Sequence, residues 1–312
     1  MKIALVFPGQ GSQKLNMMKD YYEEFKVARD IMDKACKVLD FDLKSLIFGE
    51  DEMELTRTYN AQPALLTTSM MVFEILKSRI SFDVVAGHSL GEYSALVAAG
   101  VLSFKDALKA VRLRGMLMEN AIPSGAGSML AIVGLPFEKV EEIVQEIDGI
   151  YIANYNSEKQ VVISGEITSL LSSEERFQEA GARRVVHLNV SGPFHSPLME
   201  PAKKEFEKFL NSLEFHSPKV PIVLNVTGKP AKTSTEIREK LIEQLTSPVR
   251  WVKSIWSMEE MGITDYIEVG SGRVLSGLIK RTTKAFIHST NTVEELEKTL
   301  EGVMKNARIA EF

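Results

Sequence analysis

Cysteine is nearly absent from this chain of 312 residues, which contains only Cys36. A single cysteine cannot form an internal disulfide bond and cannot build a structural zinc site. A disulfide-stabilised scaffold is therefore excluded, and a reducing compartment is favoured. Cys36 lies in a run with helical periodicity, where a small buried hydrophobic residue is the simplest interpretation.

Long apolar runs are also missing. No stretch approaches the roughly 20 apolar residues that a membrane-spanning helix needs. The apolar segment at residues 3–7 stops at Pro8 and Gly9, which is too short for the hydrophobic region of a signal peptide. The segment predicts a buried first strand instead. We expect a cytoplasmic protein with no membrane partner.

The chain has no excess of positive charge. Its 37 lysines and arginines are outnumbered by 42 aspartates and glutamates, which gives a net charge of −5. A generally basic surface for nucleic acid is therefore excluded, and we expect no nucleic-acid partner. Hydrophobic residues make up 45% and charged residues 25%, as in ordinary globular proteins. The length suggests one large domain or two smaller ones.

Short apolar runs that end in glycine, proline or polar turns alternate with longer stretches of helical periodicity. The predicted strands are residues 3–7, 84–87, 220–226, 266–269 and 285–288. The predicted helices include residues 21–39, 65–76, 104–119 and a charged amphipathic run at 293–305. This alternation predicts an α/β fold with a mostly parallel sheet, whose ligands bind at the carboxyl ends of the strands.

The middle of the chain has a different pattern. Between flexible breaks near residues 123 and 193, predicted elements follow the order βαββαβ, which is typical of a ferredoxin-like fold. We therefore predict an inserted ferredoxin-like subdomain at 123–193 and a discontinuous large α/β domain formed by 1–122 and 194–312. A cleft between the two would be a favourable ligand site.

The sequence GHSLG at residues 87–91 follows a predicted strand and precedes a predicted helix. A strand, a G-x-S-x-G turn and a helix make a nucleophile elbow, in which Ser89 would attack an acyl group. A simpler alternative is also open. Ser89 and Glu92 fit an S-x-x-E capping box, in which the serine only caps the helix.

A nucleophilic serine needs a base, and histidine is the usual one. Alternation points His88 away from Ser89, and His187 and His288 fall inside predicted strands. The remaining two, His195 and His216, occur in identical FHSP tetrapeptides. His195 is favoured mildly, because it lies in a loop at the predicted domain boundary. From the residues alone the choice stays open.

The GQGSQ loop at residues 9–13 has three interpretations. A dinucleotide fingerprint is weak, because Lys14 stands where the third glycine belongs. A plain tight turn is the simplest. In the third, the backbone N–H of Gln10 stabilises the oxyanion of an acyl-transfer intermediate together with that of Leu90, the residue after the nucleophile.

Two arginines, Arg112 and Arg114, lie on the predicted helix at 104–119. Arginine suits a carboxylate ligand because it can donate two parallel hydrogen bonds. Residues two apart face different sides of a helix, so at most one would reach the cleft. An arginine whose charged group simply reaches water is the alternative.

Taken together, the motifs resemble the malonyl-CoA:acyl carrier protein transacylase family of bacterial fatty acid synthesis. One small departure is Ser271, at a place where proline is common. The matching segments occur in the family's order: PGQGSQ at 8–13, AQPAL at 61–65, GHSLGE at 87–92, RLRG at 112–115, FHSP at 194–197, NVTG at 225–228, QL at 244–245, SPVRW at 247–251 and EVGSG at 268–272.

The resemblance implies a role for each site residue. Ser89 would be the nucleophile and His195 its base, and Arg114 would bind the malonyl carboxylate. The backbone carbonyl of Gln244 would orient His195. The resemblance also implies that Gln10 and Leu90 supply the oxyanion hole, and that Gln62 lines the pocket. It implies a hydrolase-like α/β domain with a ferredoxin-like insertion.

The implied reaction moves malonate from malonyl-CoA to the phosphopantetheine thiol of acyl carrier protein through a malonyl-serine, with no metal and no cofactor. We expect a monomer that meets its acidic carrier through a local basic patch. Alternatives are a stand-alone polyketide acyltransferase and a serine (thio)esterase. Candidates for the patch are Arg183 with Arg184, Lys203 with Lys204, and Lys280 with Arg281.

Overall fold

Two separate β-sheets and their surrounding helices make up the computed structural model, which describes residues 1–310. Residues 311 and 312, at the end of the predicted large domain, lie outside the described residues. The strands are β1 (Ile3–Phe7), β2 (Val84–Gly87), β3 (Gly127–Val133), β4 (Ile150–Ser157), β5 (Gln160–Glu166), β6 (Arg184–His187), β7 (Ile222–Val223), β8 (Asp265–Glu268) and β9 (Phe286–Ser289).

The helices surround these strands in chain order, and short 3₁₀ helices at Pro197–Met199 and Gln244–Thr246 adjoin two of them. They are α1 (Lys19–Glu24), α2 (Lys26–Leu39), α3 (Leu43–Phe48), α4 (Glu52–Thr56), α5 (Thr58–Leu76), α6 (Gly91–Ala98), α7 (Phe104–Glu119), α8 (Phe137–Gln145), α9 (Ile167–Glu179), α10 (Glu200–Asn211), α11 (Ser234–Glu243), α12 (Trp251–Glu260), α13 (Val274–Ile279) and α14 (Val293–Ala310).

The larger sheet is parallel and has the strand order β7-β2-β1-β8-β9. Strands β1 and β2 are buried along their whole length, because their apolar side chains are covered on both faces. Phe7 pairs with Gly87 at their carboxyl ends. The register therefore brings the loop after β1, which carries Gln10, beside the turn after β2, which carries Ser89.

The smaller sheet is antiparallel, with the order β4-β5-β3-β6. Helices α8 and α9 cover it, and its own apolar core includes Leu130, Ile163 and Phe177. The chain thus follows the βαββαβ order in this segment, and the predicted α/β fold class with a second, ferredoxin-like sheet is confirmed. The domain limits at residues 123 and 193 stay a prediction.

A short backbone connection links the smaller sheet to the chain after Gln244. The backbone N–H of Val249 donates to the Ala153 carbonyl at 2.8 Å, and that of Tyr155 donates to the Val249 carbonyl at 2.8 Å. The bond pair lies at an irregularity of β4 between Ile152 and Asn154. The 3₁₀ helix Gln244–Thr246 is therefore held close to the smaller sheet.

Two predicted elements differ from the observed ones. The helix predicted at 21–39 is interrupted at Phe25, which has extended backbone angles (φ −111°, ψ 125°) and separates α1 from α2. The strand predicted at 220–226 pairs only over β7, because the chain then turns and Asn225 bonds to the end of β2.

Helix α5 begins seven residues before the predicted 65–76 and contains Pro63. Proline has no N–H to donate, so the carbonyl of Tyr59, four residues earlier, loses its helical partner. The Arg112 guanidinium on α7 donates to that carbonyl at 2.7 Å. On the same helix, Gly115 allows close approach, because a Cβ there would lie 2.5 Å from the Tyr59 Cα. These contacts hold α7, with its arginines, tightly against α5.

Within the described residues, none of the helices has both the length and the apolar character that a membrane crossing requires.

Candidate active site

The turn after β2 holds Ser89 in a left-handed backbone conformation, with φ at +52°. Such a conformation is uncommon for a residue other than glycine and costs on the order of 1–3 kcal/mol. The flanking glycines leave no room for side chains. A Cβ on Gly87 would lie 1.9 Å from the Gly91 carbonyl oxygen, and one on Gly91 would lie 2.0 Å from the Phe7 carbonyl oxygen. These are the features of a nucleophile elbow.

The alternative of a capping box does not describe this turn. The N-cap of α6 is Leu90, and no side chain caps the helix. The Ser89 hydroxyl instead bonds to His195 and Arg114, and the Glu92 carboxylate accepts from the Asn225 backbone. The Ser89 hydroxyl thus bonds to His195 and to α7 instead of capping the helix that follows it.

His195 lies directly against Ser89. Its Nε2 is 2.8 Å from the Ser89 Oγ, and its Nδ1 is 2.8 Å from the backbone carbonyl oxygen of Gln244. A carbonyl can only accept, so Nδ1 carries the proton and Nε2 is free to accept the serine hydroxyl. Burial, aided by the charge of Arg114, lowers the pKa of His195 to about 3. The ring is therefore uncharged at ordinary pH.

The other histidines do not bond to Ser89. The His88 ring borders the same cavity, but its Nε2 is 2.8 Å from the Asn156 Oδ1 on β4. His216 is exposed in a loop, although it shares its tetrapeptide with His195. His187 and His288 lie on β6 and β9 and face Glu174 and Asp265, respectively.

Arg114 is a buried cation that is only 1% exposed. It donates to three neutral acceptors: the Gln62 Oε1 at 2.9 Å, the Gln244 Oε1 at 2.9 Å and the Ser89 Oγ at 3.0 Å. No carboxylate of residues 1–310 forms an ion pair with it. Burial lowers the pKa of Arg114, since a charge in this position is poorly solvated. A buried guanidinium without a direct counter-ion is well suited to an anionic ligand.

The two arginines of α7 do point to different places. Arg112 contacts the Tyr59 carbonyl and the Asn60 side chain, and its guanidinium stacks 4.8 Å from the Phe41 ring. Arg114 alone reaches Ser89. Gln62, which is predicted to line the pocket, contacts the Arg114 guanidinium at 2.9 Å and the Met118 sulfur at 3.6 Å, and both of these residues line the cavity.

Two backbone N–H groups at the cavity beside Ser89 are candidates for binding an oxyanion. Those of Gln10 and Leu90 make no hydrogen bond within residues 1–310. The Gln10 loop is also a tight turn, closed by a bond from the Ser12 N–H to the Gly9 carbonyl. The Gln10 side chain donates to the Thr58 hydroxyl at 3.3 Å, which fixes its position. The tight-turn and oxyanion interpretations are therefore compatible.

A cavity of about 90 Å³ opens in front of Ser89. A second cavity of about 520 Å³ lies further out, and Gln10 and Val190 border both. The described residues contain no group of three His, Cys, Asp or Glu side chains placed to hold a metal ion. The inner cavity is lined by Gln10, His88, Ser89, Leu90, Arg114, Met118, Met129, Asn154, Leu188, Val190, Phe194 and His195.

Sequence reasoning missed Asn225 as part of this site. Its Oδ1 accepts the Ser89 backbone N–H at 2.7 Å, and its Nδ2 donates to the Gly87 carbonyl at 2.6 Å. In the sequence, Asn225 is only the first residue of an N-x-T sequon and of the NVTG segment shared with the family. Nothing local in the sequence connects it to a turn 136 residues away.

Comparison with known protein families decides the affiliation. The model of the acyl transferase domain matches residues 4–311. The chain belongs to the acyl transferase family. This acyl transferase is 45% identical to a Bacillus subtilis protein named malonyl CoA-acyl carrier protein transacylase, over 98% of this chain and 99% of that protein. A Staphylococcus aureus protein of the same name is 42% identical over 95% of this chain and 97% of its own.

Solved structures of similar enzymes share the fold of this acyl transferase. A malonyl CoA-acyl carrier protein transacylase from Clostridium perfringens has a TM-score of 0.96 at 34% identity and covers both chains fully (100% of each). A malonyl-transacylase in complex with a type II PKS acyl-carrier protein has a TM-score of 0.94 at 39% identity, covering 97% of this chain and 100% of its own. The expected family is confirmed.

Proposed function

We propose that this acyl transferase moves the malonyl group from malonyl-CoA to the phosphopantetheine thiol of acyl carrier protein, and so supplies fatty acid synthesis. The observation that carries the proposal is a serine–histidine pair beside a buried arginine that forms no ion pair within residues 1–310. The pair suits acyl transfer, and the arginine suits an acyl group that ends in a carboxylate. The names of the relatives agree with this substrate.

The first half of the proposed reaction loads the serine. His195 Nε2 takes the proton of the Ser89 hydroxyl while the Oγ attacks the thioester carbonyl of malonyl-CoA. The N–H groups of Gln10 and Leu90 stabilise the oxyanion of the tetrahedral intermediate. When the C–S bond breaks, the CoA sulfur takes the proton from His195. Malonate is left as an ester on Ser89.

The second half repeats these steps with a new nucleophile. His195 takes the proton of the carrier's phosphopantetheine thiol, and the sulfur attacks the malonyl ester. The ester C–O bond then breaks, and the Ser89 Oγ recovers the proton from His195. The Gln244 carbonyl holds Nδ1–H throughout, as the acid of a hydrolase triad does. The cycle is ping-pong and needs only these protein groups and its two substrates.

The two cavities suit the parts of these substrates. The inner 90 Å³ has room for about three water molecules, which favours a short acyl group over a long chain. Arg114 lies on its wall and would bind the terminal carboxylate. The outer cavity, which shares Gln10 and Val190 with the inner one, would hold the pantetheine arm.

Docking of the acidic carrier, a monomeric state and a cytoplasmic location remain part of the proposal. The three basic pairs foreseen for docking are exposed, except that Lys203 is half-buried and bonds to Glu200. Arg281 also donates to Gln160 at 2.5 Å. Exposed arginines and lysines of this kind would speed encounter with an acidic partner.

Transfer to a panel of carrier proteins tests the function. The purified protein is mixed with malonyl-CoA and holo carriers from fatty acid and polyketide systems, and malonyl-carrier and free malonate are both quantified. We expect rapid loading of a fatty acid carrier and little free malonate. Preferential loading of a polyketide carrier would instead support the alternative of a stand-alone polyketide acyltransferase, since one similar structure is a complex with a type II PKS acyl-carrier protein. Malonate release without carrier loading would indicate a thioesterase.

Replacing Arg114 by alanine is expected to remove the preference for malonyl over acetyl donors. A pair of charge-assisted hydrogen bonds to the carboxylate would be lost, so kcat/KM for malonyl-CoA should fall by at least about 100-fold. The ratio of kcat/KM values for malonyl-CoA and acetyl-CoA measures the effect. Arg112→Lys is the matched control, because Arg112 lies on the same helix and contacts Tyr59 instead, and a lysine can still donate a hydrogen bond to that carbonyl. An unchanged ratio in Arg114→Ala would contradict the carboxylate role.

A further inference from the structure

Glu92 is a fully buried carboxylate (0% exposed) on the first turn of α6, behind the nucleophile. Its Oε2 accepts two hydrogen bonds, from the Asn225 backbone N–H at 2.8 Å and from the Gln244 Nε2 at 3.2 Å. Its Oε1 has no partner within the described part of the chain. The proposed reaction assigns this carboxylate no step, although burying it is costly.

The first partner of Glu92 holds the nucleophile. Asn225 uses its side chain to bind both ends of the elbow, through the Ser89 N–H at 2.7 Å and the Gly87 carbonyl at 2.6 Å. Its own backbone N–H is the group that Glu92 fixes. The left-handed conformation of Ser89 is thus supported by a residue that depends on Glu92 for its placement.

The second partner of Glu92 holds the base. Gln244 accepts the His195 Nδ1–H with its backbone carbonyl at 2.8 Å. Its side-chain amide donates to Glu92 and to the Ser89 carbonyl at 3.2 Å, while its Oε1 accepts from Arg114 at 2.9 Å. One glutamine therefore contacts all three groups of the proposed chemistry, and Glu92 is a fixed acceptor at its side chain.

We infer that Glu92 is a positioning residue, whose Oε2 holds Asn225 and Gln244 in place and through them aligns Ser89 with His195. The inference rests on the proposed roles of Ser89 and His195. Three separate chain segments meet at this one oxygen: α6, the turn after β7 and the 3₁₀ helix Gln244–Thr246. The two partners of Glu92 also contact each other, because the Gln244 Nε2 lies 3.3 Å from the Asn225 Oδ1 that accepts the Ser89 N–H.

For this positioning role, the location of the acceptor oxygen matters more than the charge of the side chain. Burial raises the pKa of the Glu92 carboxyl to about 7, against the opposing effects of the Asn225 backbone, the Gln244 amide and Arg114. The neutral acid is therefore readily accessible, with its proton on the unpartnered Oε1. A glutamine at this position resembles that neutral acid, whereas an aspartate keeps the charge but falls short of the donors by one methylene.

Three substitutions distinguish a positioning role of Glu92 from an effect of its charge: Glu92→Gln, Glu92→Asp and Glu92→Ala. The first readout is the rate at which diisopropyl fluorophosphate modifies Ser89, a reaction that needs the aligned serine and base but no malonyl group. The second is kcat and KM for malonyl transfer. The matched controls are Glu268→Gln and Glu268→Ala, because Glu268 is an equally buried carboxylate that accepts two backbone N–H groups of α13, away from Ser89.

Glu92→Ala and Glu92→Asp are expected to slow Ser89 modification and to lower kcat by about 100-fold, with KM little changed, because misplacing reacting groups by about 1 Å costs this much. Glu92→Gln should stay within about tenfold of the original protein, since its amide oxygen accepts weaker bonds in the same place. The Glu268 variants should lower the melting temperature without changing either rate. If Glu92→Ala does not fold, the contrast between Glu92→Asp and Glu92→Gln decides.

Two results would overturn the inference. One is Glu92→Asp reacting as fast as the original protein to within about threefold. The other is Glu92→Gln as slow as Glu92→Asp, which would make the charge the important property. Failure of the proposed function is distinguishable, because the original protein would then react with the fluorophosphate but transfer no malonate.

Discussion

Replacing Ser89 by alanine is expected to abolish malonyl transfer, with a fall in kcat of about 10⁶-fold, as for nucleophile removal in serine hydrolases. The alanine has no oxygen to carry the acyl group, so neither half of the ping-pong cycle can run. The fold should survive. The Arg114 donors keep the Gln62 and Gln244 acceptors, and the Asn225 side chain still binds the backbone of residue 89.

The matched control for this variant is Ser94→Ala. Ser94 is buried on α6, the helix that follows Ser89, and its hydroxyl has no hydrogen-bond partner within the described residues. Its removal should leave kcat unchanged. Steady-state transfer to a holo carrier measures both variants, and thermal melting shows whether they are folded. Transfer by folded Ser89→Ala above about one hundredth of the original rate would contradict a covalent role for this serine.

Replacing His195 by alanine is the second large effect, with kcat expected to fall by about 10⁵-fold. The serine would then lose the neutral imidazole that sits 2.8 Å from its oxygen. Both half-reactions need this base, so acylation by malonyl-CoA and transfer to the carrier should slow together. Single-turnover measurements of each half-reaction test this expectation.

His216→Ala is the control that sequence itself supplies, because His216 occurs in the same FHSP tetrapeptide. It is exposed in a loop, with its Nδ1 3.7 Å from a Glu214 carboxylate oxygen, and its loss should not change kcat. If His216→Ala and His195→Ala were equally impaired, or if His195→Ala retained most of its activity, the assignment of the base would be wrong.

The sequence predicted the bounds of two strands correctly. Residues 3–7 and 84–87 are short apolar runs that end at proline or glycine, and they are buried on both faces of the parallel sheet. Their carboxyl ends place Gln10 and Ser89 side by side. The order of strands and helices in residues 127–187 could also be predicted, because turn-forming residues separate these elements.

The errors in the fold come from long-range contacts. No glycine or proline marks the break at Phe25, where the ring lies 6.0 Å from Tyr21 and 5.8 Å from the Arg79 guanidinium carbon. The run 220–226 looks like one strand, but Asn225 leaves the sheet to bind the elbow. Local pattern cannot foresee either event, since Arg79 and the elbow are far along the chain from Phe25 and Asn225.

Only part of the candidate site could be predicted from the sequence, because some of its residues belong to a local motif and others meet through long-range contacts. The elbow is a local motif, so Ser89 and Leu90 could be found directly. From the residues alone, the choice between His195 and His216 stayed open. Resemblance to the family favoured His195, and the structure places His195 against Ser89. Asn225 and Glu92 carry local signals that suggest other roles, a sequon and a capping box. Their shared contacts with Gln244 emerge only in three dimensions.

Intact mass of the protein after brief mixing with malonyl-CoA tests the central claim most directly. We predict a gain of one malonyl group, located on the peptide that contains Ser89, and its loss when a holo acyl carrier protein is added. Ser89→Ala should gain nothing under the same conditions. An unchanged mass during active transfer to the carrier would contradict the account, as would a malonyl group on any residue other than Ser89.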